Sequence, residues 1–285
     1  MALAQARYPG IEALSDYRRL LADSRVEAVA IATPVASHFE LATEALRAGK
    51  HVLVQKTLTE TSEQAERLIE EADRRGRVLM VDHTFVYAPA VRKIRELAQS
   101  GALGELYYYD SVRINLGLFQ RDVNVLWDLA VHDLSIMNYV LPSRPVAVSA
   151  VGMSHVSGTP ENVAYLTLFF EQSLIAHIHV NWLAPVKVRK TLISGSQKMV
   201  VYDDLDPDQK VKVYDRGVSV GRDVEEAYRI RVGYRMGDMW APQIGTDEPL
   251  RTEIAHFVRC IEAGERPLTD GRAALFIIRS LRPKK

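Results

Sequence analysis

The segment Trp127 to Val140, WDLAVHDLSIMNYV, places a carboxylate and an imidazole four residues apart in an apolar run. On an α-helix this spacing brings Asp128 and His132 to the same face. A carboxylate beside an imidazole fixes the tautomer of the ring and favours its protonated form, which suits a general acid or base near neutral pH. The same pair can also satisfy its own hydrogen bonds in a half-buried helix without any catalytic role, and the segment alone favours neither interpretation.

A lysine ends another apolar segment, HVLVQK at residues 51–56. The segment is typical of a strand buried on both faces, so Lys56 is less easily explained as a solvated surface residue. Its ammonium group can hold a substrate hydroxyl or take part in proton transfer. Lys56, Asp128 and His132 lack a serine or cysteine partner, which argues against acyl transfer. They suit oxidation of an alcohol, in which one group removes the hydroxyl proton as a hydride leaves.

The elements that must position these residues begin with alternating strands and helices. Apolar runs at residues 26–34, 51–56 and 77–83 are separated by helices of ten or more residues, which predicts parallel βαβ units. Ligands of such sheets bind at the carboxyl ends of the strands. A polar cluster is therefore expected at one edge, and its members include Thr33, Pro34, His38, Gln55, Lys56, Asp82 and His83.

The second half of the chain changes character after a helix that begins at Pro89. Residues 105–115 alternate as a half-buried strand does, and most later segments before residue 249 also indicate strands. Two closing helices are predicted at 249–263 and 271–281. His177 and His179 share a face of one predicted strand, but no third ligand follows at a readable spacing. No metal site is predicted, and a polar or subunit-facing sheet surface is favoured.

Composition restricts the class of protein. The 285 residues carry 36 Lys plus Arg and 36 Asp plus Glu, so no net field attracts nucleic acid, and no such partner is expected. The apolar stretches are too short to span a bilayer, so no membrane partner is expected. A single cysteine and no secretory signal favour the cytoplasm. Cys260 lies among apolar residues at helical spacing and is interpreted as a core thiol.

Several motifs resemble one known family in order along nearly the whole chain. AGKHVLVQKTL resembles the AGKHVxxEKP segment of the glucose-fructose oxidoreductase, inositol dehydrogenase and MocA family (GFO/IDH/MocA), and WDLAVHD resembles its Asp-x-x-x-His helix. VEAVAIATPVASHF, VDHTFVYAPAV and EPLRTEIAHFVRCIEAGERPLTDG extend the likeness. NLGLFQ, DVNVLWDL, HDLSI and the YDDLDPDQKVKVYD hairpin look most like the branch that oxidises C3 of nucleotide-linked hexosamines or their uronic acids.

This resemblance implies an α/β protein with a partial Rossmann-type domain at 1–105 that binds NAD or NADP. An α+β domain with a large mixed or antiparallel sheet is expected at 106–285, for substrate binding and for homo-oligomer contacts in a dimer or tetramer. The implied substrate is a sugar or nucleotide sugar, such as a UDP-linked hexosamine or hexosaminuronate. The implied catalytic residues are Lys56, Asp128 and His132; the cofactor contacts are Thr33, Pro34, His38, Gln55 and Lys56; and the substrate contacts are Lys56, Arg113, Asn115 and His132.

Two of these substrate contacts have an alternative interpretation. Arg113 and Asn115 belong to the predicted strand that leads to the Asp128/His132 helix. Such a position also fits a strand edge that faces solvent, and for Arg113 this is about as good an explanation.

The chain departs from the family pattern at three places. Gln55-Lys56-Thr57 replaces Glu-Lys-Pro, Asp82 replaces a small residue, and the sequence contains no G-x-G-x-x-G. The family's opening βαβ unit spans about 30 residues, whereas the first buried strand here begins at Val26. We therefore expect a truncated first domain with impaired NAD(P) binding and hydride transfer. A non-catalytic sugar-binding or oligomer-forming relic is the alternative, and a lyase that uses Lys56 and His132 without nicotinamide is a third.

Overall fold

The computed structural model describes residues 2–117, 119, 120, 123–220 and 232–281. These residues form two compact units. The first contains the chain up to Asp82 together with Ile254–Ile278, and the second contains His83–Glu253 together with the segment that begins at Arg279. The chain therefore leaves the first unit, builds the second and returns to the first.

The first unit contains a parallel sheet of three strands in the order β1-β2-β3. The strands are β1 (Ala28–Ile31), β2 (His51–Gln55) and β3 (Leu79–Asp82). The central strand β2 pairs with β1 on one side and β3 on the other, and its valines are fully buried. The parallel pairing of all three strands confirms the predicted βαβ arrangement. The apolar runs in their sequences fit strands that are covered on both faces of the sheet.

Four helices of the first unit precede its C-terminal segment. They are α1 (Ala2–Arg7), α2 (Tyr17–Ala22), α3 (His38–Arg47) and α4 (Ser62–Arg75). The buried side of α4 is formed by Ala65, Leu68, Ile69 and Ala72.

The N-caps of two of these helices are selected by backbone conformation. Asp16 caps α2 and Thr61 caps α4, each with an extended backbone and a side chain that accepts a backbone N–H. By residue type, the neighbouring Ser15 and Ser62 are equally suitable caps. Adjacent residues of similar capping ability cannot be ranked by type alone, because the backbone conformation decides which of them is the cap.

Two helices close the chain, α7 (Pro249–Ala263) and α8 (Gly271–Leu281), with the predicted bounds. The connection between them returns to the first sheet. The Val81 amide donates to the carbonyl of Thr269 at 2.8 Å, and Met80 forms an antiparallel bridge with Asp270. Cys260 of α7 is fully buried, which confirms the predicted core thiol.

The second unit is built on a mixed sheet of eight strands, ordered β11-β10-β9-β8-β4-β7-β6-β5. Only the β4–β7 pairing is parallel. The strands are β4 (Leu106–Leu116), β5 (Ala147–Met153), β6 (Val163–Phe169), β7 (Ile175–Asn181), β8 (Leu183–Gly195), β9 (Met199–Asp203), β10 (Val211–Val220) and β11 (Val232–Trp240). The predicted fold class, a parallel α/β domain plus an α+β domain, is confirmed, although β11 was not predicted.

The helices of the second unit are α5 (Pro89–Gln99) and α6 (Val131–Val140). A π-helical turn, Leu126–Ala130, precedes α6 directly. Along β6 the inward residues are fully buried, whereas the outward Tyr165 and Phe169 are 40% and 42% exposed. In the part of the chain that the structure describes, no helix is long and apolar enough to cross a membrane.

Candidate active site

The carboxyl edge of the first sheet collects the polar residues expected there. Thr33 and Pro34 follow β1 and are exposed, whereas His38, the first residue of α3, is 1% exposed. Its Nε2 lies 2.7 Å from the carbonyl oxygen of Thr33, and its Nδ1 lies 2.8 Å from that of Thr57. A neutral ring can donate to only one of these acceptors at a time. His38 therefore connects the loop after β1 to the loop after β2.

Lys56 follows the last residue of β2 at this edge. Gln55 is half-buried and lies opposite Asp82 of β3 in the parallel register. Lys56 is also half-buried, and its peptide bond to Thr57 is cis. The structure thus brings the five predicted cofactor contacts to neighbouring loops of one unit: Thr33, Pro34, His38, Gln55 and Lys56. Their roles remain predictions.

The two residues of the predicted acid–base pair, both in the second unit, lie in two successive helical segments. Asp128 belongs to the π turn, and His132 belongs to the first turn of α6. The prediction that a regular α-helix carries both is therefore wrong, because a π turn bonds residue i to i+5 and shifts the angular spacing of its side chains. Single π turns of this kind are frequent at functional sites.

The carboxylate of Asp128 is fixed from the sheet. The indole Nε1 of Trp182 donates to its Oδ2 at 3.1 Å, and Trp182 is fully buried. The Trp182 backbone bonds to the Asn162 carbonyl and to the Gly117 amide, both at 2.9 Å. A Cβ on Gly117 would lie 2.6 Å from the indole Cδ1, so this position requires glycine. The ring that orients Asp128 is thus held on several sides.

The ring of His132 packs against Phe85, with their centroids 5.1 Å apart in an edge-on arrangement. The guanidinium carbon of Arg113 lies 4.6 Å from the centroid of Phe85. Arg113 in turn donates to Asp133 through Nε at 2.7 Å and through Nη2 at 3.2 Å. A buried ion pair therefore contacts the aromatic ring that packs against the imidazole.

Arg113 is 3% exposed, so the alternative of a strand edge facing solvent is wrong. Burial opposes its charge, but the charge and the hydrogen bonds of Asp133 outweigh burial and raise the pKa of Arg113. Its Nη1 is buried and has no hydrogen-bond partner among the described residues. A substrate contact by Arg113 would have to use this nitrogen. Asn115, two residues further along β4, is half-buried.

Asp133 has two further hydrogen-bond partners on β4. The hydroxyl of Ser111 donates to Oδ1 at 2.6 Å, and the hydroxyl of Tyr109 donates to the Asp133 carbonyl at 3.2 Å. Burial, with the charge of Asp133, raises the pKa of Tyr109 far above its ordinary value, so the phenol remains a donor. A charged residue on an apolar helix next to His132 was the available sequence signal for this cluster, and it was overlooked.

A second arginine contacts the same aromatic ring. Arg189 of β8 lies opposite Arg113 in the antiparallel register, and its guanidinium carbon lies 5.8 Å from the centroid of Phe85. It pairs with Asp204 at 3.2 Å. Nothing in the local sequence connects Phe85 with His132, Trp182 with Asp128 or Arg189 with Phe85, since these contacts arise only from the tertiary fold.

Both halves of the chain match descriptions of one protein family. Residues 1–83 match the oxidoreductase family with an NAD-binding Rossmann fold, and residues 91–201 match the GFO/IDH/MocA C-terminal domain. These ranges contain the rim of the first sheet and the Asp128/His132 segment.

Individual relatives agree with this assignment. UDP-N-acetylglucosamine 3-dehydrogenase of Acidithiobacillus ferrooxidans is 28% identical over 270 residues, which are 93% of this chain and 77% of the relative. A solved structure of that enzyme has a TM-score of 0.80 at 26% identity and covers 99% of this chain and 84% of its own. A dTDP-3,4-didehydro-2,6-dideoxy-α-D-glucose 3-reductase of Streptomyces violaceoruber is 35% identical over 154 residues, 50% of this chain and 44% of the relative. The chain therefore belongs to the GFO/IDH/MocA family of NAD-binding oxidoreductases.

Proposed function

We propose that this protein is an NAD(P)-dependent dehydrogenase that oxidises a sugar hydroxyl, at C3 of a UDP-linked hexosamine or hexosaminuronate. The observation that carries the proposal is the way in which the second unit holds its acid–base pair. Asp128 is fixed by Trp182, and His132 packs against Phe85. Catalytic groups need such fixed orientation. The name of the 28% identical relative, a UDP-N-acetylglucosamine 3-dehydrogenase, supports the substrate class.

The proposed roles follow from side-chain chemistry. His132 accepts the hydroxyl proton as the carbon–hydrogen bond breaks, and the nicotinamide, when bound, accepts the hydride. Lys56 holds the reacting hydroxyl with its compact cation. Asp128 keeps the imidazole oriented and stabilises its protonated form. Asn115 and the buried Nη1 of Arg113 are the further proposed sugar contacts.

The residues at the rim of the first sheet fit part of a dinucleotide. Thr33, Pro34, His38, Gln55 and Lys56 lie at the carboxyl ends of parallel strands, where such sheets bind their ligands. The ring of His38 lies within hydrogen-bonding distance of the carbonyls of Thr33 and Thr57, one in each of two loops, and can donate to either. We propose that these residues contact NAD or NADP.

We further propose that the protein is a homo-oligomer. The outward face of β5 and β6 exposes large apolar side chains, among them Val151 at 66%, Met153 at 61% and Phe169 at 42%. They lie on the same face of two paired strands, where Val151 is opposite the exposed Tyr165. Exposed apolar residues gathered on one sheet face are typical of protein contacts.

A second candidate is a sugar-binding protein without cofactor or turnover. Two observations favour it. The sequence has no G-x-G-x-x-G, the loop that normally cradles the pyrophosphate. Among the described strands, β1 pairs only with β2, so the first sheet has three strands.

Titration of the whole chain distinguishes the two candidates. NADH and NADPH are titrated and followed by nicotinamide fluorescence, and UDP-N-acetylglucosamine and its uronic acid are titrated by calorimetry. Absorbance of reduced nicotinamide then reports turnover with NAD⁺ or NADP⁺. The dehydrogenase requires saturable cofactor binding and formation of reduced nicotinamide. Sugar binding without either result would establish the second candidate.

A further inference from the structure

The first unit contains a cavity of about 400 Å³ at the amino ends of β2 and β3. Its apolar side includes Ile69 and Leu79, and its polar side includes His51 and Arg77. His51 is the first residue of β2, whereas Gln55, the last, belongs to the proposed cofactor rim. Four residue steps of a strand separate them by about 13 Å. The cavity is therefore distinct from that rim.

Two hydrogen-bond donors face each other in this cavity. The amide of Val78 donates to His51 Nδ1 at 2.9 Å, so this nitrogen carries a lone pair and the proton of the neutral ring lies on Nε2. His51 Nε2 lies 3.1 Å from Arg77 Nη1. A guanidinium nitrogen also carries only hydrogens. Neither can accept from the other, so the pair lacks an acceptor.

The imidazole of His51 remains neutral near neutral pH. Burial, followed by the charge of Arg77, lowers its pKa below the ordinary value. In the neutral form Nδ1 keeps its bond from Val78, and Nε2–H remains available as a donor. An oxygen atom that accepts from both Nε2–H and Nη1–H would satisfy the two groups at once.

The remaining charges of the cavity are already paired. Arg266 pairs with Asp270, and Arg272 pairs with Asp73. Glu265 lies 3.8 Å from Arg259. No carboxylate pairs with Arg77 within the part of the chain that the structure describes, which leaves its charge uncompensated.

A helix end lies beside these two donors. Gly271 and Arg272, the first residues of α8, line the cavity, so the amino end of an 11-residue helix faces the space. The cap of α8, Asp270, accepts the amides of Ala273 and Ala274 through Oδ1 and its carbonyl. The backbone amides in the first turn of a helix are the kind of donor that binds oxyanions.

We infer that this cavity binds a small oxyanion, a phosphate or carboxylate group, between His51 Nε2 and Arg77 Nη1. The inference rests on the two facing donors, the unpaired charge of Arg77 and the amino end of α8. It is independent of the proposed dehydrogenase activity, since every group belongs to the cavity at the opposite ends of the strands. The apolar side at Ile69 and Leu79 leaves room for a short hydrocarbon portion of the ligand.

The test is calorimetric titration of the whole chain with inorganic phosphate and with malonate, at constant ionic strength set by chloride. We expect saturable binding of at least one anion. Arg77→Gln removes the cation, and His51→Asn keeps an acceptor for the Val78 amide but removes the Nε2 donor. Each should weaken binding by about tenfold or more, the value of one charge-assisted hydrogen bond. Arg74→Gln is the matched control, because Arg74 is an exposed arginine in the last turn of α4, three residues before Arg77, and does not line the cavity.

The outcomes are distinct. Binding of phosphate alone assigns the site to phosphate-bearing ligands, and binding of malonate alone assigns it to carboxylates. Absence of saturable binding by both anions overturns the inference, and so does equal binding by Arg77→Gln and the unaltered protein. Arg77 is exposed, so its substitution leaves the fold intact and decides the matter even if His51→Asn fails to fold.

Discussion

Arg113 and Asp133 form a buried ion pair that acts on His132 through an intervening aromatic ring. The pair fixes the guanidinium over Phe85, and Phe85 packs edge-on against His132. The ring of Phe85 thus restricts the rotamer of His132, and Phe85 is itself held by the guanidinium of Arg113. Arg113 therefore acts as a positioning residue in addition to its proposed sugar contact through Nη1.

The first prediction concerns the stability of this pair. Arg113→Leu leaves Asp133 charged and 2% exposed without its partner. Loss of one member of a buried ion pair costs about 3–5 kcal/mol. The free energy of unfolding, measured with urea, should fall by this amount. Arg92→Leu, at an exposed arginine of α5, should change it by less than about 0.5 kcal/mol. A loss below 1 kcal/mol for Arg113→Leu, on the order of a surface effect, would contradict the pairing.

The second prediction concerns turnover under the proposed function. Lys56→Ala and His132→Asn should each lower kcat by roughly two to four orders of magnitude, since each removes an acid–base group, while substrate affinity changes less. Steady-state kinetics with the nucleotide sugar give both constants. Lys93→Ala, in a surface ion pair with Glu96, is the control. A variant of Lys56 or His132 that keeps parental turnover removes that residue from the mechanism.

Residue types alone identified part of the site. Lys56, Asp128 and His132 are recognisable because their chemistry stands out in apolar surroundings. Trp182 was not predicted as the partner of Asp128, since 54 positions of sequence separate them and only the folded sheet brings them together. The same reason applies to Phe85.

At the scale of elements, the π turn before α6 illustrates a limit of periodicity. Asn124 accepts the Trp127 amide through Oδ1 and the Asp128 amide through its carbonyl, both at 3.2 Å. These bonds start the helix, and the apolar pattern that follows suits either an α or a π turn. Only the tertiary position of Asp128 against Trp182 distinguishes them, so the sequence predicted a helix but not its local winding.

The third prediction uses the cap of α4. The side chain of Thr61 accepts the Gln64 amide at 3.2 Å, whereas the hydroxyl of Ser62 donates to Glu63. Thr61→Ala should lower the free energy of unfolding by about 1 kcal/mol, the usual value of an N-cap. Ser62→Ala should cost less than about 0.5 kcal/mol. Urea unfolding of both variants decides this, and the reverse ranking would return the cap to Ser62.

Strands and closing helices differ in how well the sequence predicts them. The bounds of α7 can be predicted because local signals mark them: Pro249 at its start and Gly264 after its end. The strand β11 was not predicted, since Arg235, Gly237 and Asp238 interrupt any apolar alternation. Its stability comes from antiparallel pairing with β10, which no short window of sequence reports.

At the scale of the molecule, the outward sheet face yields the fourth prediction. Phe169→Glu places a charge in the proposed contact surface and should shift the protein to a smaller mass in sedimentation velocity. Leu268→Glu alters a residue of the first unit with a similar exposure, 40% against 42%, and should leave the mass unchanged. An unaltered protein that sediments as a monomer would refute the oligomer.

The fifth prediction concerns pH. Burial lowers the pKa values of His51 and His179 below 6.5, assisted by the charges of Arg77 and His177 respectively. The folded protein therefore binds these protons less readily than the unfolded chain does. Their stabilising contribution is complete above pH 6.5 and is lost as the pH falls below it. Urea unfolding should show this decline, and His179→Asn should make it shallower. Stability that rises over the same interval would contradict the buried neutral state.

The return of Ile254–Ile278 to the first unit has a consequence for biosynthesis. A chain leaves the ribosome from its amino end, so the sheet of β1, β2 and β3 is exported long before Thr269 and Asp270 can join β3. Most of the second unit, the contiguous segment His83–Glu253, is exported in between. The first unit must therefore wait for that whole segment before it can be completed. Until then the nascent chain exposes an apolar sheet edge that a chaperone can recognise.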